Sequence, residues 1–576
     1  MILKALYDYY QRDSESIPFG LQKQPISFIV VINENGKFVN IEDCRQGNQG
    51  TNYLVPIGAH SNGSSPLLFW DNVMYLLDYI PEMDKTKPNK QQLEKINKAH
   101  VKHKSFVERC DKVAKLAKSN DLIAVSNFYK LGEIAKVYKH DLWDTIKSKT
   151  SSCLSFRIQG STTIVAENEI LLKYNNENID TESSKGRCLI TGKYTNIVRL
   201  CANTPIAGSK NSAKLVSFND NSFCSYNKEQ GENSPISVEA EFAFSSVLKK
   251  FIAKDSRNKF LIGNRTFVFW ASSNNEAGQK SEDCLFNLFT FNDVLADNPD
   301  QGVEQVRKVF EAIYSGVLQT SLDDKFYILG LAPNSARIAV AYWAEIPLKD
   351  FAERIIRHFN DMQVFDDRKD KKPYMGLYAI LSAVTLGGKV SDVTPNLPEA
   401  TAKSIFEGTQ YPYPLYSGCI RRIRAEQSLT ITRVAIIKAY LNRLNNNEQK
   451  IKIMLDNQNT NQGYLCGRLF AVLDKIQHEA KDQHSIKERY MNAASSTPSS
   501  VFSTILNLSS HHSKKLDKGL NKFYEELKEE IIDKIGADGF PSHLDLQDQG
   551  RFFVGFYHQQ KAFYTKKEEQ NESNNN

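Results

Sequence analysis

The sequence predicts an α+β protein, a large mixed α/β N-terminal domain of β-hairpins and polar loops followed by an α-helical bundle. Three observations carry that expectation. In the first two thirds, short runs rich in apolar, β-branched and aromatic residues stand on either side of turn dipeptides. In the last third, apolar residues recur every three or four positions, as on a helix that buries one face. A charged run, Asp366–Pro373 (DDRKDKKP), stands between the two patterns.

Each element follows from local spacing. Met1–Arg12 (MILKALYDYYQR) places Leu3, Leu6, Tyr7 and Tyr10 on one helical face. Ile26–Ile32 and Lys37–Ile41 flank Asn35-Gly36 and read as a hairpin. Arg45–Ser65, rich in glycine, asparagine, glutamine and serine, reads as turns. Leu93–Ala117 keeps helical spacing through Leu93, Ile96, Val107, Cys110, Ala114 and Ala117. His100 and His103 lie on or near that stripe, as partly buried histidines rather than ligands.

Short strands are expected at Leu154–Ile158, Leu215–Phe218, Phe260–Ile262 and Thr266–Trp270, the last two around Gly263-Asn264. Phe326–Leu331 and Arg337–Trp343 make a second hairpin around Pro333-Asn334, followed by a helix carrying Leu348, Phe351, Ile355 and Phe359. Residues 1–365 thus form the N-terminal domain, and 374–453 a helical connecting region that includes Ile431–Leu444. Polar breaks follow at Asn445–Lys450 and Asn457–Gln462. Leu465–Ala480, Ser499–Leu516, Leu520–Ile535 and a last helix from Gln547 then compose a four-helix bundle within 454–565. The tail 566–576 (KKEEQNESNNN) is expected to be disordered.

Composition bounds the function. With 576 residues, 41% apolar and 11% aromatic, the chain can bury a large core. Its nine cysteines are scattered and never spaced Cys-x-x-Cys, which points to reduced cytoplasmic thiols rather than a disulfide frame or zinc site. The first residues lack an apolar signal region, and no window offers ~18 consecutive apolar residues, so no membrane partner is expected. Net charge is +6, unevenly spread. Lys85–His140 holds 14 basic and 5 acidic residues, whereas Met454 to the end holds 15 basic and 17 acidic. Such a basic stripe suits a phosphate backbone, and a solvated helix face is the competing reading.

Motifs for catalysis are missing. There is no Gly-x4-Gly-Lys-Ser/Thr phosphate loop and no Gly-x-Ser-x-Gly elbow. His478-Glu479 lacks a second histidine at zinc spacing, and His140-Asp141 is a lone dipeptide. No catalytic residue, metal or cofactor is therefore expected. What recurs instead is loop chemistry suited to nucleic acid. Asn203–Lys214 (NTPIAGSKNSAK) sets Lys210, Asn211 and Lys214 in a glycine-containing turn. Ser217–Ser237 (SFNDNSFCSYNKEQGENSPIS) mixes Asn, Gln and Lys with aromatics. These side chains donate to phosphates and minor-groove acceptors, and aromatics stack on bases.

The sequence resembles the large subunit of the type I-C CRISPR surveillance complex, the Dvulg-type Cascade. The opening MILKALYDYYQR, Pro66–Tyr79 (PLLFWDNVMYLLDY) and above all Leu215–Phe244 (LVSFNDNSFCSYNKEQGENSPISVEAEFAF) carry the likeness. TFVFWA at Thr266–Ala271, LGLAPNSARIAVAYW at Leu329–Trp343 and YPYPLYSGCIRRIRAE at Tyr411–Glu426 continue it. GRLFAVLDKIQHEA (Gly467–Ala480) and RYMNAASSTPSSVF (Arg489–Phe502) complete the series. One departure stands at Asn227, where the family usually has glycine; asparagine tolerates a left-handed backbone, so the loop is expected to survive.

The resemblance implies a role rather than a reaction. The large subunit reads a short flanking motif (PAM) on target double-stranded DNA, helps part the strands and holds the displaced one, while base pairing with guide CRISPR RNA reads the target. Its implied partners are the Cascade backbone subunits, the guide 5′-handle subunit and a helicase-nuclease recruited in trans. The loops around Arg45–Asn72 and Lys210–Asn233 are expected to converge on the flanking duplex, with Asn62, Asn72, Lys210, Asn211, Lys214, Lys228, Gln230 and Asn233 as candidate DNA contacts. The resemblance also implies a small subunit from the same gene, for which Met454 is the candidate internal start. Lys514, Lys515 and Lys518 are candidate phosphate contacts for the displaced strand. A purely structural scaffold and a concealed metal-dependent nuclease are the alternatives.

Overall fold

Leu3, Leu6, Tyr7 and Tyr10 share one helical face, and Ile2–Arg12 forms the first helix (α1). The computed structural model describes residues 2–47, 49–58, 66–178, 184–262, 264–290, 299–367, 376–444, 449–481 and 485–564. It is α+β, as the sequence predicts. By its contacts the chain divides into two compact units, one of residues 3–203 with 216–248, the other of 204–215 with 249–576.

The first unit is built on strands β1 (Leu21–Ile26), β2 (Phe28–Ile32), β3 (Phe38–Asp43), β4 (Arg45–Gln46), β5 (Gln49–Pro56), β6 (Trp70–Asn72) and β7 (Cys153–Ile158). One sheet runs β3-β2-β7-β6, a second β1-β5-β4. β2 and β7 are parallel, Phe28 opposite Leu154 and Ile32 opposite Ile158. Parallel neighbours need a long crossover. It is supplied by helices α2 (Val73–Leu77), α3 (Lys90–Ala117), α4 (Asn120–Lys130), α5 (Ile134–Val137) and α6 (Trp143–Ser148). Every residue of β2 is buried, so it reads as an unbroken apolar run. Phe28, Val30 and Ile32 join the cluster of Phe106, Cys110 and Phe128, while Ile29 and Val31 join that of Val55 and Trp70. Helix α7 (Glu169–Asn178), the ribbon β8 (Lys185–Arg187) with β9 (Tyr194–Asn196), and α8 (Val238–Ile252) as far as Leu248 complete the unit.

The second unit opens on an antiparallel sheet in chain order: β10 (Lys259–Ile262), β11 (Arg265–Ala271), β12 (Lys325–Asn334) and β13 (Arg337–Pro347). Helices α9 (Glu276–Thr290), α10 (Pro299–Ser315), α11 (Leu348–Met362), α12 (Leu377–Ser382), α13 (Leu397–Glu407), α14 (Tyr413–Glu426) and α15 (Ile431–Asn442) follow or interrupt it. The last five are α16 (Gln462–Glu479), α17 (Ile486–Ala494), α18 (Pro498–Ser513), α19 (Lys518–Ile532) and α20 (Leu546–Ala562). One continuous core joins Phe260 of the sheet to Tyr557 of α20. No break in that core accompanies the charged run, of which residues 368–373 lie outside the described residues, as do 445–448, Gly263 and the tail 566–576. Among the described residues no helix is long and apolar enough to cross a membrane.

Several expectations need correction. Residues read as turns include β5, whose polar side chains face outward while its backbone pairs with β1. Leu215–Phe218 forms no strand, because a strand needs a partner edge and the bridge here is a single one, Lys214 with Arg337. The second hairpin turns at Ser335-Ala336, two residues later than expected. Pro333 fits inside β12 because β11 pairs only as far as Leu331, so its missing N–H breaks no central ladder there. The final bundle has five helices, since α17, capped by Ser485, was not anticipated.

Candidate nucleic-acid interface

Residues 204–215 of the second unit form a loop laid along the tip of the β12–β13 hairpin. Thr204 N–H donates to Ala213 O (2.8 Å) and closes the loop. Lys210 N–H donates to Ser335 O (3.1 Å) at the hairpin turn, and Ile338 N–H donates to Lys214 O (3.2 Å). The backbone is thereby fixed while Lys210 and Asn211 stand exposed. Lys214 is half-buried and bridges Arg337. Arg337 therefore joins the basic group, although sequence reasoning took it only as a strand residue. A contact across more than a hundred residues leaves no local signal.

The second loop, 217–237, belongs to the first unit. Asp220 caps a short turn by accepting from Ser222 N–H (2.9 Å). Tyr226, Asn227 and Gln230 all hold left-handed backbone, φ 55°, 57° and 44°. Asn227 adopts the conformation expected of it. The conformation costs a non-glycine residue ~1–2 kcal/mol, so three within five positions make a strained tip. Anchors beneath hold it. Asn233 Oδ1 accepts from Ser225 N–H (3.0 Å), and its Nδ2 donates to Lys228 O (3.0 Å) and Gln230 O (3.1 Å). Arg199 donates to Gln230 Oε1 (3.0 Å). Gly231 lies so near that a Cβ would fall 2.0 Å from Val198 O.

Asn233 is thus an internal brace and Gln230 a tethered side chain, whereas Lys228 is exposed and Tyr226 is 95% exposed. At the loop's end, Cys188 Sγ accepts from Ser237 N–H (3.2 Å). Burial pushes its thiol up, but hydrogen bonds from Ser237 and Thr191 outweigh this and bring it down to about 7.

The other candidates are placed as follows. Asn72 caps α2, accepting from Met74 N–H (3.1 Å) and Tyr75 N–H (3.4 Å), beside buried Asp71, which accepts from Leu67 N–H (3.1 Å). Asn62 lies outside the described residues. Asn72, Lys228, Gln230 and Asn233 belong to the first unit and Lys210, Asn211 and Lys214 to the second. Lys514, Lys515 and Lys518 are exposed together at the α18–α19 turn, with the Asp517 carboxylate among them as the cap of α19. Met454 is buried, not an open loop residue.

The basic segment folds as α3 to α5, and much of its charge is paired. Lys95 meets Glu82 (2.8 Å), Lys115 and Lys130 share Asp111 (2.5 and 2.6 Å), and Lys136 meets Glu133 (2.9 Å). Exposed Lys98 and Lys112 have no ion-pair partner among the described residues. His100 is exposed and pairs with Asp78 (2.8 Å), whereas His103 is part-buried and bonds Tyr75 O (2.8 Å). Its pKa is lowered by burial. Among the described residues no group of three or more His, Cys, Asp or Glu could hold a metal ion.

The arrangement offers exposed lysine, asparagine and aromatic side chains on braced loops, chemistry that binds phosphates and base edges. A family model described as CRISPR-associated protein (Cas_Csd1) matches residues 6–564. No curated protein matches the chain.

Proposed function

The chain belongs to the Cas_Csd1 family of CRISPR-associated proteins, and from that premise we propose that it is the large, non-catalytic subunit of a type I-C RNA-guided surveillance complex. In this reading guide CRISPR RNA, held by backbone and 5′-handle subunits, pairs with the target. The chain reads the PAM on double-stranded DNA, assists strand separation and recruits a helicase-nuclease that does the cutting. Dividing the work this way lets protein read the flank and RNA read the sequence. The observation that carries DNA reading is the loop 204–215, whose backbone is pinned to a hairpin tip so that Lys210 and Asn211 project from a fixed base. Preorganised donors lose little freedom on binding. Lys228 and Tyr226, on the strained tip of the other loop, are the second set.

The test is binding of target duplexes with randomised flanks to the reconstituted complex. Alanine at a base-reading residue, with Lys210, Asn211 and Lys228 first, costs ~1–3 kcal/mol and relaxes flank preference. Reversal of Lys98 and Lys112 weakens all sequences alike and lowers the log–log salt slope by ~0.9 per lost contact. Unchanged affinity and preference after alanine at all eight candidates would overturn the reading.

A further inference from the structure

We propose that the pocket enclosed by α16, the start of α17 and the end of α20 binds a free ribonucleoside monophosphate. Such a ligand lies beyond the flank reading above and does not require it.

The pocket holds about 310 Å³, the lower end of the ~300–1,000 Å³ range of small-molecule sites. Residues three and four apart share one face of a helix, so α16 presents Ala471, Asp474, Lys475 and His478 together. Lys487, in the first turn of α17, and Gln560 and Phe563, at the end of α20, close the other sides. Two pins fix the entry of α17 against α16: Ile486 N–H donates to Gln477 Oε1 (2.6 Å), and Lys487 N–H donates to the Asp474 carboxylate.

The polar groups differ in what they already hold. Lys475 is spent: its ammonium pairs with Glu479 (2.7 Å), donates to the Tyr564 hydroxyl (3.0 Å) and lies 4.9 Å from the centre of that ring. Lys487 forms no salt bridge among the described residues, and neither the His478 ring nor the Gln560 amide makes a hydrogen bond among them. Asp474 is the reverse case. Burial pushes its carboxyl up, and the Lys487 N–H with the nearby charges of Lys487 and His478 offsets this only in part. A carboxylate so short of water gains most from ligand hydroxyls that donate to it.

One ligand class answers all of these demands. A phosphate monoester, carrying about −1.5 to −2 at neutral pH, suits Lys487 and His478. Ribose hydroxyls donate to a carboxylate, as they do in dinucleotide sites. Phe563, half-buried, offers its ring to a flat base. Inorganic phosphate would set a like charge against Asp474, and a sugar phosphate would leave Phe563 uncovered. A nucleic-acid strand brings singly charged diesters in place of the monoester.

The test is isothermal titration calorimetry of the full chain with AMP, 2′-deoxy-AMP and adenosine. AMP binds, with the deoxy form and the nucleoside each about tenfold weaker, since each lacks one charge-assisted contact. Asp474→Asn weakens AMP and brings it level with the deoxy form; the new amide oxygen still accepts the Lys487 N–H, so the unfolding midpoint stays. Lys487→Gln brings AMP level with adenosine while the ribose preference remains, and it removes no hydrogen bond of the fold. Phe563→Leu weakens all three ligands alike. The proposal is overturned if AMP does not bind at millimolar concentration, if the three ligands bind alike, or if neither polar variant removes the preference assigned to it. It is also overturned if a pentaadenylate RNA without terminal phosphate competes as well as AMP, because the pocket is then a nucleic-acid contact.

Discussion

At the scale of single residues, His558 shows how the interior sets charge. Its Nδ1 lies 3.0 Å from the Tyr464 hydroxyl, which itself accepts from Asp456 N–H (3.2 Å), and its Nε2 is buried without a partner. Burial, then the charges of Lys438 and Arg468, pushes its pKa from 6.5 down to about 3. The unfolded chain therefore binds one proton more than the folded one between these values. Stability from this residue is complete above pH 6.5 and is lost as pH falls toward 3, by up to ~1.4 kcal/mol per pH unit. His558→Phe removes the titration, so its unfolding midpoint falls less steeply than the parent's between pH 6.5 and 4; parallel curves would refute the assignment. Residue type alone did not separate such roles. Asn72 and Asn233 looked like Asn211 in sequence, yet the first two spend their amides on backbone groups and the third is exposed.

At the scale of elements, α16 and α20 meet backbone to backbone. A Cβ on Gly467 would lie 2.0 Å from Phe552 O, and one on Gly555 2.2 Å from Tyr464 O. Neither carbonyl can retreat without bending its helix. Gly467→Ala is expected to lower stability by at least ~2 kcal/mol, despite alanine's better helix propensity, read as a shift of the urea midpoint. An unchanged or raised midpoint would show that the helices can part freely. Long periodic elements were legible beforehand: α3, α11, α15, α16 and α18 to α20 stand where apolar spacing put them. Short or polar ones were not. β5 is held by pairing rather than by its own pattern, and the turn of the second hairpin is set by register along β12 and β13.

At the scale of the molecule, the C-terminal helices do not close on themselves. Tyr416 of α14 donates to Leu546 O of α20 (2.6 Å), and a Cβ on Gly550 would meet Tyr416 at 2.2 Å and Ile437 of α15 at 3.1 Å. A product begun at Met454 would keep α16 to α20 and lose that cover. We still expect the intact gene to yield one, of about 14 kDa by scaling 65.4 kDa over 576 residues to the 123 from Met454. Because Tyr416 and Ile437 no longer cover α20 in such a product, we expect it to take a partner there. Mass spectrometry of the purified complex should find it, and replacing the Met454 codon with upstream sequence recoded silently should abolish it. Finding only the full-length chain, with target binding intact, would end the idea.

The sequence by itself determined the fold class, the helices with sustained apolar spacing, the polar loops and the family likeness, because periodicity and motif order are properties of neighbours along the chain. Tertiary structure alone decided which polar residues brace and which project, where Arg337 sits, and that one core runs from the β10–β13 sheet through the last helix. The bridge of Lys214 to Arg337 joins segments more than a hundred residues apart, and the bracing amides, though their partners are near in sequence, are chosen by the turn of the backbone rather than by residue type, so neither leaves a mark on local spacing.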